Sequence, residues 1–356
     1  MLAKTKITAI ITFFVFAFAG TALAETTWPK SVRAISSNAN ETMHICLTAF
    51  AKNVTKYTPI ENWVVQPLGG PMLWLKMMRE NKADFAMHSS PDMYDAFMGQ
   101  GAYAEMGPQN IRNLGGGHEL ILNFVTTPNT GIKTIEDLKG KSVFCYSKGN
   151  PLFSNMTEKQ LALAGLTVKD LKATLTHATL SDSVNDLIEG RVDALLFPFP
   201  QMSAIINMKE ARGGYHYVTL TREQGEELCR QMPGYYLQTL PVGDPRHANT
   251  EPIENGVFYQ INLWTWVDRD PEMIYGVTKA IFEHGDEIAD AHPALPYWDA
   301  KAQPGPVGFN VPYHDGAIKY YKEKGLWTDE HQAYQDKLLA EQAERIAAFN
   351  AKGKSK

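Results

Sequence analysis

The sequence predicts an α/β fold in two lobes, joined by crossing strands that form a hinge over a ligand cleft. Three observations predict it. Strand-length apolar runs alternate with amphipathic helix-length runs along most of the chain. The 356 residues exceed what one hydrophobic core usually serves. Two apolar, β-rich runs, residues 120–126 and 257–267, divide the pattern into blocks, as segments crossing between two lobes would.

Taken in order, the chain opens with a secretory signal. Lys4 and Lys6 form its basic start, residues 7–20 its apolar run, and Ala22-Leu23-Ala24 a small-residue cleavage site. The apolar run is short for a membrane span. Cleavage after Ala24 takes the formal charge from −5 to −7, because residues 1–24 carry two lysines and no acid. A mildly acidic chain without a basic run is a poor ligand for nucleic acid or an anionic membrane. Three scattered cysteines, Cys46, Cys145 and Cys229, make no disulfide framework and read as buried thiols.

The first part of lobe 1 spans residues 25–126. Strands are expected at 32–36, 63–66 and 85–88, with helices at 41–55, 72–81 and 91–98 between and after them. Lobe 2 spans residues 127–255. It opens with Thr134, which can cap a short turn with Asp137 at the capping-box position, and with Gly140, which accepts the positive φ that ends a turn. Strands follow at 142–146, 175–177, 194–197, 215–219 and 236–240, and helices at 153–164, 183–189, 202–209 and 222–232. The chain returns to lobe 1 over residues 256–327. There Asp270 is a plausible N-cap with Pro271 at N1, and Met273, Ile274, Val277 and Ile281 give the helix an apolar face. Residues 328–356 read as a terminal helix and tail, docked on its own lobe or, alternatively, used for self-association.

One internal echo stands out. A helix end, a basic residue, an aspartate and an apolar strand occur at 78–87 and again at 188–197. Asp84 and Asp193 each precede their strand, which suits capping or pairing at the strand entrance.

Four loops are expected to line the cleft, each between a strand and a helix start. They are Ser36-Ser37-Asn38, then Leu68-Gly69-Gly70-Pro71, then His88-Ser89-Ser90, and in lobe 2 Ser147-Lys148-Gly149-Asn150. Hydroxyls, amides and bare N–H groups at helix starts suit a carboxylate. Taken singly, each loop is as well explained by Ser, Asn and Gly capping a helix. Trp74, Tyr94, Tyr146, Phe153 and Phe199 are candidates for an aromatic wall, and Lys148, ahead of Arg33, for a positive partner. The ten histidines, His44, His88 and His314 among them, form no metal signature, and no cofactor is called for. No G-x-S-x-G, G-x-G-x-x-G or P-loop occurs; Gly115-Gly116-Gly117 is too short for either phosphate motif.

Several stretches together resemble a known family. They are T-I-E-D-L-K-G-K-S-V-F-C-Y at 134–146, Gly69-Gly70 before a helix, A-D-F-A at 83–86, L-I-E-G-R-V-D-A at 187–194 and P-Y-H-D-G-A-I-K-Y-Y at 312–321. In order and spacing over residues 30–326 the chain is similar to the TAXI family, the solute receptors of one class of TRAP transporters. The resemblance implies a two-lobed periplasmic-binding-protein fold of type II-like architecture, a periplasmic location, a small organic anion as ligand and an integral-membrane TRAP permease as partner. It implies no enzyme. The loops depart from the family pattern. The first is often glycine-rich there and here is Ser-Ser-Asn-Ala-Asn; the second carries Pro71 and Trp74 where Ser and Asn are usual; the fourth lacks a Gly-Ser-Gly-Thr-like run. Each change adds a side chain where the ligand would lie. The departures point to a carboxylate with a different body from the glutamate-like ligands usual in the family; glutamate-like compounds, 2-oxo acids, dicarboxylates and aromatic acids are the candidate classes. The alternatives are a periplasmic α/β enzyme acting on a small organic acid and, behind it, an interaction module.

Overall fold

The computed structural model describes residues 28–39, 41–144, 151–175, 180–199, 208, 210–243, 251–299 and 309–353. The signal segment, Cys145 and the 202–209 helix core lie outside them. Lobe 1 begins β1 (Ser31–Ser36), α1 (Thr42–Tyr57), β2 (Asn62–Pro67), α2 (Pro71–Arg79), β3 (Phe85–Ser89) and α3 (Ser90–Met98). The long strand β4 (Ile111–Thr126) then leads into lobe 2. That lobe holds β5 (Ser142–Phe144), α4 (Pro151–Leu163), β6 (Ala173–Leu175), α5 (Leu180–Glu189), β7 (Ala194–Phe199), β8 (His216–Tyr217), α6 (Arg222–Gln231) and β9 (Tyr235–Leu240). Strand β10 (Ile253–Trp266) returns the chain to α7 (Pro271–Glu283), α8 (Asp315–Glu323) and α9 (Asp329–Gly353).

One ten-stranded sheet runs through both lobes in the order β2-β1-β3-β10-β4-β7-β5-β6, with β8 on β4 and β9 on β10. β4 and β10 are antiparallel partners from Phe258 opposite Ile121 to Trp266 opposite Ile111, with register shifts after Gln260 and Leu263. Each lobe thus has three parallel strands joined through helices, closed by an antiparallel strand that arrives from the other lobe. Parallel strands covered on both faces read as continuous apolar runs, which is why β3 and β7 were legible.

The internal echo is carried into atomic detail. The Asp84 carboxylate accepts the Arg33 N–H of β1 at 2.9 Å, and the Asp84 N–H donates to the Arg33 carbonyl at 2.8 Å. The Asp193 carboxylate accepts the Ser142 N–H of β5 at 2.8 Å, and its own N–H donates to the Ser142 carbonyl at 2.8 Å. Thr265 of β10 and Thr126 of β4 donate their hydroxyls to the carbonyls of Asp84 and Asp193, at 2.9 and 2.7 Å. Both aspartates therefore lock the amino end of a parallel strand, away from the carboxyl edge where ligands bind. Arg33 lies at that same far end, its guanidinium on the Lys82 carbonyl.

The lobe 2 opening forms as its residues dictate. Asp137 Oδ2 accepts the N–H groups of Lys133 and Thr134 at 2.9 and 3.0 Å, which holds its pKa below the usual carboxylate range. Gly140 has φ +73°, a conformation that strains any residue with a Cβ.

The triple glycine lies in β4, where neighbours press on the backbone. A Cβ on Gly117 would sit 2.1 Å from Trp298, and one on Gly116 2.2 Å from Gln260. The segment at 312–321 packs as well. His314 Nδ1 accepts the Gly316 N–H at 3.2 Å to cap α8, while Tyr320 and Tyr321 are fully buried. Helix α9 is held against lobe 1 by buried amides. Gln335 accepts the Tyr313 N–H at 2.8 Å and donates to its carbonyl at 2.9 Å, and Gln342 donates to the Gln109 carbonyl at 2.9 Å. Among the described residues no helix is long and apolar enough to cross a membrane.

Candidate functional site

The carboxyl ends of β1, β2 and β3 deliver three loops to one edge of lobe 1, and each loop runs directly into a helix. The starts of α1, α2 and α3 have no side-chain cap, although Asn38, Ser89 and Ser90 stand beside them. Other helices in the chain are capped by side chains. Thr221 and Gln224 form a capping box on α6, Asp270 accepts two N–H groups of α7, and His314 caps α8. A helix start without a cap leaves N–H donors and a partial positive charge facing outward. The serines and asparagine of these loops are therefore not spent on capping.

In the first loop, the buried Ser36 hydroxyl donates to the Ser37 carbonyl at 3.0 Å and sits 2.8 Å from His44 Nδ1. Burial lowers the His44 pKa, so the ring stays neutral. Asn38 donates to Glu41 at 3.0 Å, and the Ser37 hydroxyl is buried with no partner among the described residues. In the second loop, Gly70 has φ +79° and is the N-cap of α2, so glycine is demanded by the backbone there. Gly69 has open space where a Cβ would stand. In the third loop, Ser89 and Ser90 are 1% and 0% exposed, and neither hydroxyl has a partner among the described residues.

Trp74 is 3% exposed. Its indole N–H donates to the Leu68 carbonyl at 3.0 Å, and its ring meets His88 edge-on at 5.2 Å between centroids. It therefore ties the second loop to the third from behind. Phe153 is buried in the core and Tyr94 half-buried. Tyr146, Ser147, Lys148, Gly149 and Asn150 lie outside the described residues. Phe199 ends β7 opposite Ile121 of β4.

Beside the third loop is a buried chain of polar groups that the sequence reading missed. His88 Nε2 lies 2.8 Å from Asp92 Oδ2, and the Tyr103 hydroxyl donates to the same oxygen at 2.6 Å. Burial, then the charge of Asp92, pushes the Tyr103 phenol far up, so it remains a donor. The signal was present as H-S-S-P-D, a histidine and an aspartate four apart across a strand-to-helix turn.

These groups back onto a hollow of about 290 Å³ between the lobes. Lobe 1 lines it with Asp92, Asp95 and Tyr103, and lobe 2 with Asn155, Gln231 and Tyr235. Asp95 accepts from Gln100 at 2.9 Å, and burial pushes its carboxyl up to about 6. An acid with a raised folded pKa stabilises the fold fully below its unfolded pKa, and that stability is lost as pH rises through about 6. Asp95→Asn is therefore expected to raise stability at pH 8 by about 1 kcal/mol, allowing for solvent screening of a half-buried group. Denaturant titrations at pH 8 and pH 5 check it, since the gain should shrink at the lower pH.

Residues 48–325 match the NMT1-like family. The chain belongs to the NMT1-like family. Among solved structures, this NMT1-like chain is similar to PhnD1 from Prochlorococcus marinus (MIT 9301), solved in complex with methylphosphonate. The TM-score is 0.51 at 10% identity, covering 84% of this chain and 99% of that one. It is also similar to the periplasmic aliphatic sulphonate binding protein SsuA from Escherichia coli, at TM-score 0.45 and 16% identity over 87% of this chain and 86% of that one. The NMT1-like chain thus has the two-lobed α/β fold of periplasmic binding proteins, with β4 and β10 as the crossing strands.

Proposed function

We propose that this protein is an extracytoplasmic solute receptor that closes on a small organic carboxylate in the interlobe cleft and delivers it to an integral-membrane permease. The observation that carries the reading is the edge at Ser36–Asn38, Gly69-Gly70 and His88–Ser90. Three helix starts without side-chain caps converge there with the hydroxyls of Ser37, Ser89 and Ser90, which have no partner among the described residues. Buried donors without a partner among the described residues are suited to an anion held away from water. Lobe 2 would add Ser147, Lys148, Gly149, Asn150, Tyr146 and Phe199 on closure, and Trp74 would position the second loop. The permease is proposed as a TRAP type of the TAXI class on the strength of the motifs at 134–146, 187–194 and 312–321.

A receptor is favoured over an enzyme by one further observation. The serine and histidine that meet at this edge are Ser36 and His44, 2.8 Å apart, and the Ser36 hydroxyl donates to the Ser37 carbonyl at 3.0 Å, so its proton is not given to the imidazole as an activated nucleophile's would be.

The test is a thermal-shift screen of residues 25–356, stripped of co-purified ligand, against 2-oxo acids, dicarboxylates, amino acids, aromatic acids, sulfonates and phosphonates. Ligand at about a hundred times Kd should add roughly 2.7 kcal/mol of stability. A carboxylate that binds saturably and is recovered unchanged supports the receptor. Turnover supports the enzyme, and a response to sulfonates or phosphonates alone overturns the carboxylate.

A further inference from the structure

The lobes meet at a place that the sheet topology singles out. On one edge of β10, residues 253–259 pair with β9 of lobe 2 and residues 261–265 pair with β3 of lobe 1. β4 holds the other edge. Both β3 and β9 run antiparallel to β10, so the carboxyl end of β3 points at the amino end of β9, with Gln260 beside the join. On the β4 edge the ladder is interrupted at the same level. Gln260 pairs with Glu119 and Asn262 with Gly116, so β4 carries one residue more than β10 there, a bulge. The crossing pair is therefore least braced at Gln260–Ile261, between a change of partner on one edge and a bulge on the other.

The chain ends that meet beside this point are closely fitted. Gly234 lies in the turn before β9 and has φ +94°. A Cβ on it would stand 2.4 Å from Asn310 Nδ2, 3.1 Å from Pro91 Cα and 3.2 Å from Pro91 N. Asn310 is 6% exposed, and its Nδ2 donates to the Ser90 carbonyl at 3.0 Å. A glycine of lobe 2 is thus seated on two lobe 1 segments that are bonded to each other. Pro91 from one lobe and Pro233 and Tyr235 from the other line the interlobe hollow beside this contact. Positive φ alone does not explain the fit. Gly140 also has positive φ, at +73°, and a Cβ there would meet nothing within 4 Å.

Resting on the receptor reading above, we propose that Gly234 is the stop on lobe closure and sets the angle at which the lobes of the free protein rest. Bending at Gln260–Ile261 swings β9 toward or away from the end of β3. Ser90 belongs to the third cleft loop, so the swing that brings the cleft walls together presses Gly234 onto Pro91 and Asn310. The limit is firm. Pro91 meets the glycine with backbone atoms, and the Asn310 amide is tied to the Ser90 carbonyl, so neither turns aside. A methyl group at position 234 would act as a wedge. It would hold the lobes apart and deplete the closed form, and ligand affinity would fall by the same factor.

The experiment is small-angle X-ray scattering from residues 25–356 without ligand, with near-ultraviolet circular dichroism showing which variants are folded. Wild type should have a radius of gyration of about 20 Å, and Gly234→Ala should exceed it by about 1 Å. Gly140→Ala places a side chain on the same kind of backbone with nothing to press against, and should scatter like wild type. The increase caused by Gly234→Ala should shrink by half or more when it is made in Asn310→Ala, which removes the nearest atom. Should Gly234→Ala not fold, a second pair of variants decides. Asn310→Leu adds bulk against the glycine and leaves its backbone alone, so it should enlarge the molecule, while Asn310→Ala should not. A folded Gly234→Ala that scatters like wild type would overturn the stop. So would an equal increase in Gly140→Ala, or, in the second pair, equal radii for Asn310→Leu and Asn310→Ala. No ligand enters this measurement, so failure of the stop leaves the receptor standing, and failure of the receptor in the thermal-shift screen leaves the stop to be judged by scattering.

Discussion

Asp92→Ala is expected to cost about 3–5 kcal/mol of folding stability, the range for breaking a buried polar pair from one side. The reason is what it leaves behind. His88 and Tyr103 are 5% and 0% exposed, and their Nε2 and hydroxyl groups both address Asp92 Oδ2. Without the carboxylate, two buried polar atoms lose their partner together, and each costs more unpaired than the bond contributed when made. Asp92→Asn keeps one acceptor and should lose markedly less. Urea unfolding of the three proteins decides the matter. Equal midpoints would mean that water or a neighbouring group satisfies His88 and Tyr103 and that the network adds little. The same network fixes the third cleft loop, because the Trp264 indole N–H donates to the His88 carbonyl at 3.2 Å. Asp92→Ala should therefore also weaken ligand binding, even where the protein stays folded.

Acid should unfold this protein through His118. The residue lies in β4 with both ring nitrogens buried and without partners among the described residues. Burial, with a smaller push from His292, holds its pKa down to about 3. A histidine whose folded pKa lies below its unfolded one stabilises the fold fully above about 6.5, and that stability drains as pH falls toward 3. Between pH 7 and pH 4.5 the loss should reach about 2–3 kcal/mol from this group alone. Asp95 works in the opposite sense below pH 6, so it offsets part of the effect. His118→Gln keeps the site neutral at every pH. The difference in stability between wild type and His118→Gln, measured by urea titration at pH 7 and pH 4.5, should close or reverse at the lower pH. Parallel losses would show that the acid sensitivity lies elsewhere.

Much of the fold was readable because its periodicity was undisturbed. Strands β1, β2, β3 and β7 are apolar runs between turn residues, and the Asp84 and Asp193 echo named the two strand entrances before any contact was visible. The crossing strand β4 was read only at 120–126, yet it begins at Ile111. Its first half carries Arg112 and three glycines, which look like a loop in sequence. They form a strand because Gln260 and Trp298 press against the backbone, an effect of residues far along the chain. The lobe 1 loops were placed correctly at helix starts. That their polar side chains do not cap those helices required coordinates, since a capping serine and a free one are spelled alike. Trp74 shows the same limit. Its place beside a glycine loop suggested a wall for the ligand, while its bond to the Leu68 carbonyl makes it a strut beneath the loop. The hollow at Asp95 was invisible from sequence because Tyr235 reaches it from the other lobe.

The place of β10 in the sheet bears on how the chain acquires its structure during synthesis. In lobe 1, β10 lies between β3 and β4, yet it is encoded after the whole of lobe 2. Until residues 253–266 emerge, β3 and β4 face each other across a missing strand and their inward N–H and C=O groups remain unpaired. At ordinary synthesis rates this interval lasts on the order of ten seconds. During it the nascent chain presents open strand edges, the form most prone to mispairing and best suited to a chaperone's grip. Lobe 2 depends less on late residues, because β4, β5, β6 and β7 are all available before β10. The β4-β7-β5-β6 part of the second lobe can therefore form first, while β9 of that lobe and the edge of β3 in the first both wait for β10.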